Sequence, residues 1–191
     1  MRQLDPKLTA FLDKKLAQNG AAQDAIKRKD ARSLMIYAAE SCVGIREEGS
    51  NRGPMVSLIQ DTVDGPDHVA WCMSFVQTCI AYAELKTGVK SPIAAGEHCL
   101  TVWQSTPKAQ RVKIVPLPGA IVIWQHGSST SGHTGIVTEW KGKVFEAVEG
   151  NTGGGITAKG TVVREGDGVY MTERNATGTG TMKVVGFLKP F

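Results

Sequence analysis

The sequence predicts an α+β fold, with helices first and an antiparallel sheet after them. Three observations carry this. Apolar residues recur at helical spacing as far as Gly88, β-rich runs separated by glycine turns follow from Val112 onward, and the two patterns do not interleave as they would in a parallel α/β chain.

Taken in order, Asp5 as cap and Pro6 in the first turn open an amphipathic helix over residues 5–18 that carries Leu8, Phe11, Leu12 and Leu16 and ends at Asn19-Gly20. Residues 21–29 read as a mostly polar turn. Asp30 caps a helix over residues 31–47, whose apolar face holds Leu34, Ile36, Ala38, Cys42 and Ile45, and Gly49 to Pro54 stop it. A short helix over residues 55–59 and a polar loop over 61–66 lead to Cys72. There a helix begins and runs through Phe75, Val76, Cys79, Ile80 and Tyr82 to Gly88, which suits a C-terminal cap. Strands are expected at Lys113 to Pro116, Gly119 to Trp124, Gly135 to Trp140, Val144 to Val148, Thr161 to Arg164, Val169 to Thr172 and Met182 to Leu188.

Composition excludes several classes. The 191 residues fit one domain, and the formal net charge of +4 is spread over scattered Lys and Arg, without the dense runs that track nucleic-acid phosphates. No stretch approaches the roughly 18 apolar residues of a membrane span, and Met1 to Gly20 lacks the apolar core of a secretory signal. The expectation is a soluble product made in the cytoplasm without a signal peptide. Four cysteines are too few for a disulfide scaffold, so free thiols are expected, with Cys79 a small buried apolar residue.

One of those thiols is placed differently. Cys72, in Trp71-Cys72-Met73-Ser74, stands at a helix start, where free backbone N–H groups favour thiolate over thiol. Cysteine hydrolysis also needs an imidazole to pair with the thiolate and a third group to orient that ring. His133, in Gly132-His133-Thr134-Gly135, precedes a β-branched run, and Glu149-Gly150-Asn151 follows the next one. If Lys141-Gly142-Lys143 closes a hairpin with Trp140 opposite Val144, His133 faces Asn151, and Glu149 lies one diagonal step away on the same face. A two-residue turn would send both to the other face. The adjacent pair His98-Cys99 reads as structural, since neighbouring side chains point apart. Asp61, Asp64, Asp67 and His68 show no zinc or EF-hand spacing and read as a solvated loop.

These motifs, together with Pro118-Gly119-Ala120-Ile121-Val122-Ile123-Trp124 and the closing Gly186-Phe187-Leu188-Lys189-Pro190, resemble the CHAP family of cysteine, histidine-dependent amidohydrolases and peptidases. The resemblance runs from about Ala31 to Pro190. It departs from the family at Gly119-Ala120, where Gly-Asp is frequent. It implies a papain-like fold, residues 31–191 as the catalytic domain and residues 1–30 as an N-terminal helical extension. It further implies Cys72 as nucleophile, His133 as base, Glu149 as the ring's orienter with Asn151 as additional or alternative orienter, and the Cys72 backbone N–H as an oxyanion donor. No metal or organic cofactor is required.

The implied substrate is bacterial peptidoglycan, cut at the N-acetylmuramoyl-L-alanine bond or within the stem peptide or cross-bridge. The setting would be a phage lysin or an injected antibacterial toxin acting on the cell wall after release or injection, the latter with an immunity protein or secretion machinery as partner. A non-catalytic wall-binding or virion module, and a cytosolic amidase of small peptide conjugates, stay open as alternatives.

Overall fold

The Asp5 carboxylate accepts from the backbone N–H of Lys7 and Pro6 follows it, so the first helix, α1 (Pro6–Leu16), starts where the sequence predicts. The computed structural model describes residues 1–113, 115–153 and 166–191. Among the described residues five further α-helices follow: α2 (Gly20–Lys27), α3 (Ala31–Ser41), α4 (Pro54–Asp61), α5 (Cys72–Thr87) and α6 (Cys99–Ser105). The same residues then hold seven strands: β1 (Arg111–Val112), β2 (Ile121–His126), β3 (Gly132–Trp140), β4 (Val144–Thr152), β5 (Gly168–Asn175), β6 (Gly178–Thr179) and β7 (Met182–Leu188). They form one antiparallel sheet in the order β1-β7-β2-β3-β4-β5, with β6 on β7. The fold is α+β, of the papain-like kind.

α5 is the hub. From Cys72 to Ala83 every residue is buried, the signature of a helix surrounded by protein on all sides. It packs on α3, β3 and β4, and Gly88 ends it in the left-handed conformation, φ 74°. The sheet has two packed faces. Ile121, Ile123, Ile136, Val148, Val169 and Leu188 join the helices, whereas Val122, Trp124, Val137, Phe145, Ala147 and Phe187 form a second core on the opposite side. Leu8, Leu12, Leu16, Ala22 and Ala25 of α1 and α2 lie in the same core as α3 and α5.

The register beside the predicted site is the expected one, reached by a different route. Ile136 faces Val148 and Val137 faces Ala147, as a Trp140–Val144 pairing would require, yet Trp140 in fact faces Phe145. An irregularity between Val137 and Glu139 absorbs the extra residue. A bulge costs less than the alternative, because a one-residue slip would move the inward apolar set to the wrong face.

Other expectations need correction. Residues 20–27 are a helix, since the Asn19 side chain caps the Ala22 N–H at 3.0 Å. The helix from Ala31 stops at Ser41, six residues early. Gly44 adopts φ 99°, and the backbone beyond it is drawn onto β5 through Gly44 N–H to Val169 O and Val169 N–H to Ile45 O. The strand expected at Lys113 to Pro116 is replaced by Arg111–Val112, and Pro116 has no N–H to give a ladder. α6 was not foreseen. The strand expected at Thr161 to Arg164 lies outside the described residues. Among the described residues no helix is long and apolar enough to cross a membrane.

Candidate active site

Cys72 is the first residue of α5, and its thiol opens on a cleft of about 630 Å³ that is also lined by Glu47, Asn51, His126, His133 and Asn151. The helix end reaches this position because Gly150 has no side chain. A Cβ there would stand 2.6 Å from the Cβ of Phe75 and 2.9 Å from the Trp71 ring. β4 therefore presents bare backbone to the start of α5.

His133 enters from β3. Its cross-strand neighbour is Trp124, and the two rings stack with centroids 5.5 Å apart at 24°. Its Nε2 lies 2.9 Å from Oε2 of Glu149, which leaves the other ring nitrogen for Cys72. Glu149 is fully buried. A lone buried carboxylate would be expelled or protonated, but Arg174 of β5 donates Nε to Oε1 at 2.7 Å and Nη2 to Oε2 at 2.5 Å, and the Thr172 hydroxyl donates to Oε1.

The electrostatics follow from these contacts. Burial pushes the Glu149 carboxyl up, but the hydrogen bonds and charges of Arg174 and His133 prevail and hold it down at about 2. Burial likewise works against the His133 imidazolium, yet hydrogen bonding to Cys72 and Glu149 and their charges lift it to about 10. The Cys72 thiol is held well below its ordinary value, first by a hydrogen bond from Cys99 and then, against burial, by His133. These shifts favour a thiolate, an imidazolium and a carboxylate in series, closed by a guanidinium.

Of the four site residues expected from sequence, the structure brings Cys72, His133 and Glu149 together and gives Asn151 other partners. Asn151 has φ 51°, which swings it out of the strand alternation. Its Nδ2 donates to Glu47 Oε1 at 3.1 Å and to Asn51 Oδ1 at 3.0 Å. By geometry it is Glu149 that contacts the His133 ring, and Asn151 belongs to the cleft wall. Glu47 organises that wall, accepting also from Trp71 Nε1 at 2.8 Å and from the Asn51 backbone N–H at 2.7 Å.

Sequence reasoning missed three contributors. Glu47 is the last residue of the helix expected over residues 31–47, which gives no sign that it lines a cleft. Arg174 lay beyond the expected end of its strand, although Thr172 and Arg174 alternate on the face that Glu149 uses. Cys99, read as structural, has its sulfur 3.7 Å from that of Cys72. The neighbour that matters to Cys99 is another cysteine, at the start of α5. Among the described residues no group of three His, Cys, Asp or Glu is placed to hold a metal ion.

Against known families, the CHAP domain model matches residues 64–151. The match covers a little under half of the chain and supports a member of the CHAP family, whose domains are in general cysteine, histidine-dependent amidases and peptidases of peptidoglycan. The matched stretch contains Cys72, His133, Glu149 and Asn151, and leaves out Glu47 and Arg174. Comparisons with curated proteins and with solved structures return no match.

Proposed function

We propose that the protein hydrolyses an amide bond of peptidoglycan, either between N-acetylmuramic acid and L-alanine or within the stem peptide or cross-bridge, with Cys72 as nucleophile. The observation that carries the reading is the His133–Glu149 contact of 2.9 Å on a ring that also faces the buried-edge thiol at a helix start. The Cys72 thiolate attacks the carbonyl carbon, and the developing oxyanion is met by the Cys72 backbone N–H, which has no partner within the helix. His133, as imidazolium, gives its proton to the leaving amine. The thioester that remains is attacked by water, with neutral His133 taking the proton and Cys72 leaving as thiolate. Glu149 keeps the ring in the orientation that serves both transfers.

The wall of a bacterium is the proposed site of action, reached by release as a phage lysin or by injection as an antibacterial toxin. The test is digestion of purified sacculi by wild type and Cys72→Ala, followed by mass spectrometry of the new ends. Free L-alanine amines with intact muramyl lactate identify an amidase, and new stem or cross-bridge amines identify an endopeptidase. Identical products from both proteins would remove Cys72 from the reaction.

A further inference from the structure

We infer that Cys72 and Cys99 together form a covalent modification site, in which a hydroperoxide oxidises Cys72 and Cys99 captures it as a disulfide. The placement is specific. Each cysteine is the first residue of its helix, the sulfurs are 3.7 Å apart, and both side chains are buried except where Cys72 meets the cleft. Closing to a bond of about 2.05 Å asks for less than 2 Å of sulfur movement, which side-chain rotation at two helix starts can supply. Room for Cys99 is made by Gly132, the residue before His133. A Cβ on Gly132 would stand 3.0 Å from the Cβ of Cys99 and 2.6 Å from the Trp124 carbonyl oxygen.

The chemistry balances without any group beyond the peroxide. The Cys72 thiolate attacks the terminal oxygen of ROOH, the O–O bond breaks, and the departing alkoxide takes the His133 proton to leave as ROH. Cys72 is then a sulfenic acid. The neutral imidazole accepts the Cys99 proton, the new thiolate attacks the Cys72 sulfur, and the expelled hydroxide recovers that proton as water. Two thiols and one hydroperoxide become one disulfide, one alcohol and one water. Without a second thiol in reach, a sulfenic acid proceeds to sulfinic acid, which thiol reductants do not reverse. Cys99 thus decides whether oxidation of the nucleophile is reversible.

This inference rests on Cys72 being a reactive thiolate, as proposed above, and not on which bond it cuts. The experiment treats the full chain with hydrogen peroxide, alkylates free thiols, and maps peptides without reduction. The expected result is a linked Cys72–Cys99 peptide two hydrogens lighter than its parts. Dithiothreitol should remove the link and restore nearly all of the starting activity on sacculi. In Cys99→Ser and Cys99→Ala, each compared with its own untreated activity, Cys72 should run on to sulfinic acid and little activity should return. Sulfinic Cys72 in wild type with no link, a link through Cys42 or Cys79 instead, or an unreacted Cys72 would each overturn the inference. A linked peptide in a protein that never digests sacculi would uphold it and overturn the peptidoglycan reading.

Discussion

Glu149 carries a negative charge where no solvent reaches it, and two donors on Arg174 make that tolerable. Arg174 is therefore a positioning residue for His133, acting through the carboxylate. Arg174→Gln is expected to lower kcat by about 10-fold to 100-fold with little change in KM, the usual loss when an orienting outer contact is removed, and Arg174→Lys should recover part of it. A stability readout separates this from general damage. The Glu149 carboxyl is depressed in the folded state from about 4.5 to about 2, so its contribution is present above the higher value and is lost as pH falls toward the lower. Arg174→Gln lets that carboxyl rise toward its ordinary value, and thermal melts followed by circular dichroism should show a lower Tm at neutral pH and a smaller further loss on acidification below about 4.5 than in wild type. On the alkaline side, His133 keeps its proton up to about 10, so the proposed activity should persist well above neutrality and decline as the imidazolium is lost. Cys72, His133 and Glu149 were legible because a helix start and a two-residue alternation are local patterns. Arg174, Cys99 and Glu47 were not, because each meets the site from a distant element whose docking no local pattern encodes.

At the scale of elements, the decisive contact is α5 on β4. Gly150→Ala would place a methyl group within 3 Å of Phe75 and Trp71. Overpacking of this kind costs about 1–3 kcal/mol, which for a chain of this length lowers Tm by roughly 2–4 °C per kcal/mol. Activity should fall further than stability, since the displaced helix end carries Cys72. A scan of Tm beside a sacculus assay on the soluble, folded variant checks both. The α5 boundaries were readable from its apolar run and Gly88, and the β3–β4 face from its alternation. The early end of α3 was not, because residues 44–47 trade helix for hydrogen bonds to β5, a partner more than 100 residues away.

Over the whole molecule, residues 1–30 bear on how far the helical side depends on its first turns. Leu8, Leu12, Leu16, Ala22 and Ala25 are buried, the Tyr82 hydroxyl donates to Asp13 at 2.8 Å, and Arg2 donates to Gln77 at 2.5 Å and to the Ile93 carbonyl. Gln77 in turn donates to the Ala94 and Gly96 carbonyls, so this chain of contacts reaches the segment that delivers Cys99. Deleting residues 1–30 is expected to yield a chain that aggregates or unfolds without a cooperative transition, checked by circular dichroism and size-exclusion chromatography; a well-folded, active remainder would make the segment an independent extension. The two-faced sheet has a separate consequence. The thiol belongs to the helix-side core, while the imidazole, the carboxylate and Arg174 stand on the opposite face with Trp124, so the reacting pair straddles a seam between two packed layers. A seam parts before either layer melts, and loss of function should mark the first loosening of helices from sheet while most secondary structure is still in place.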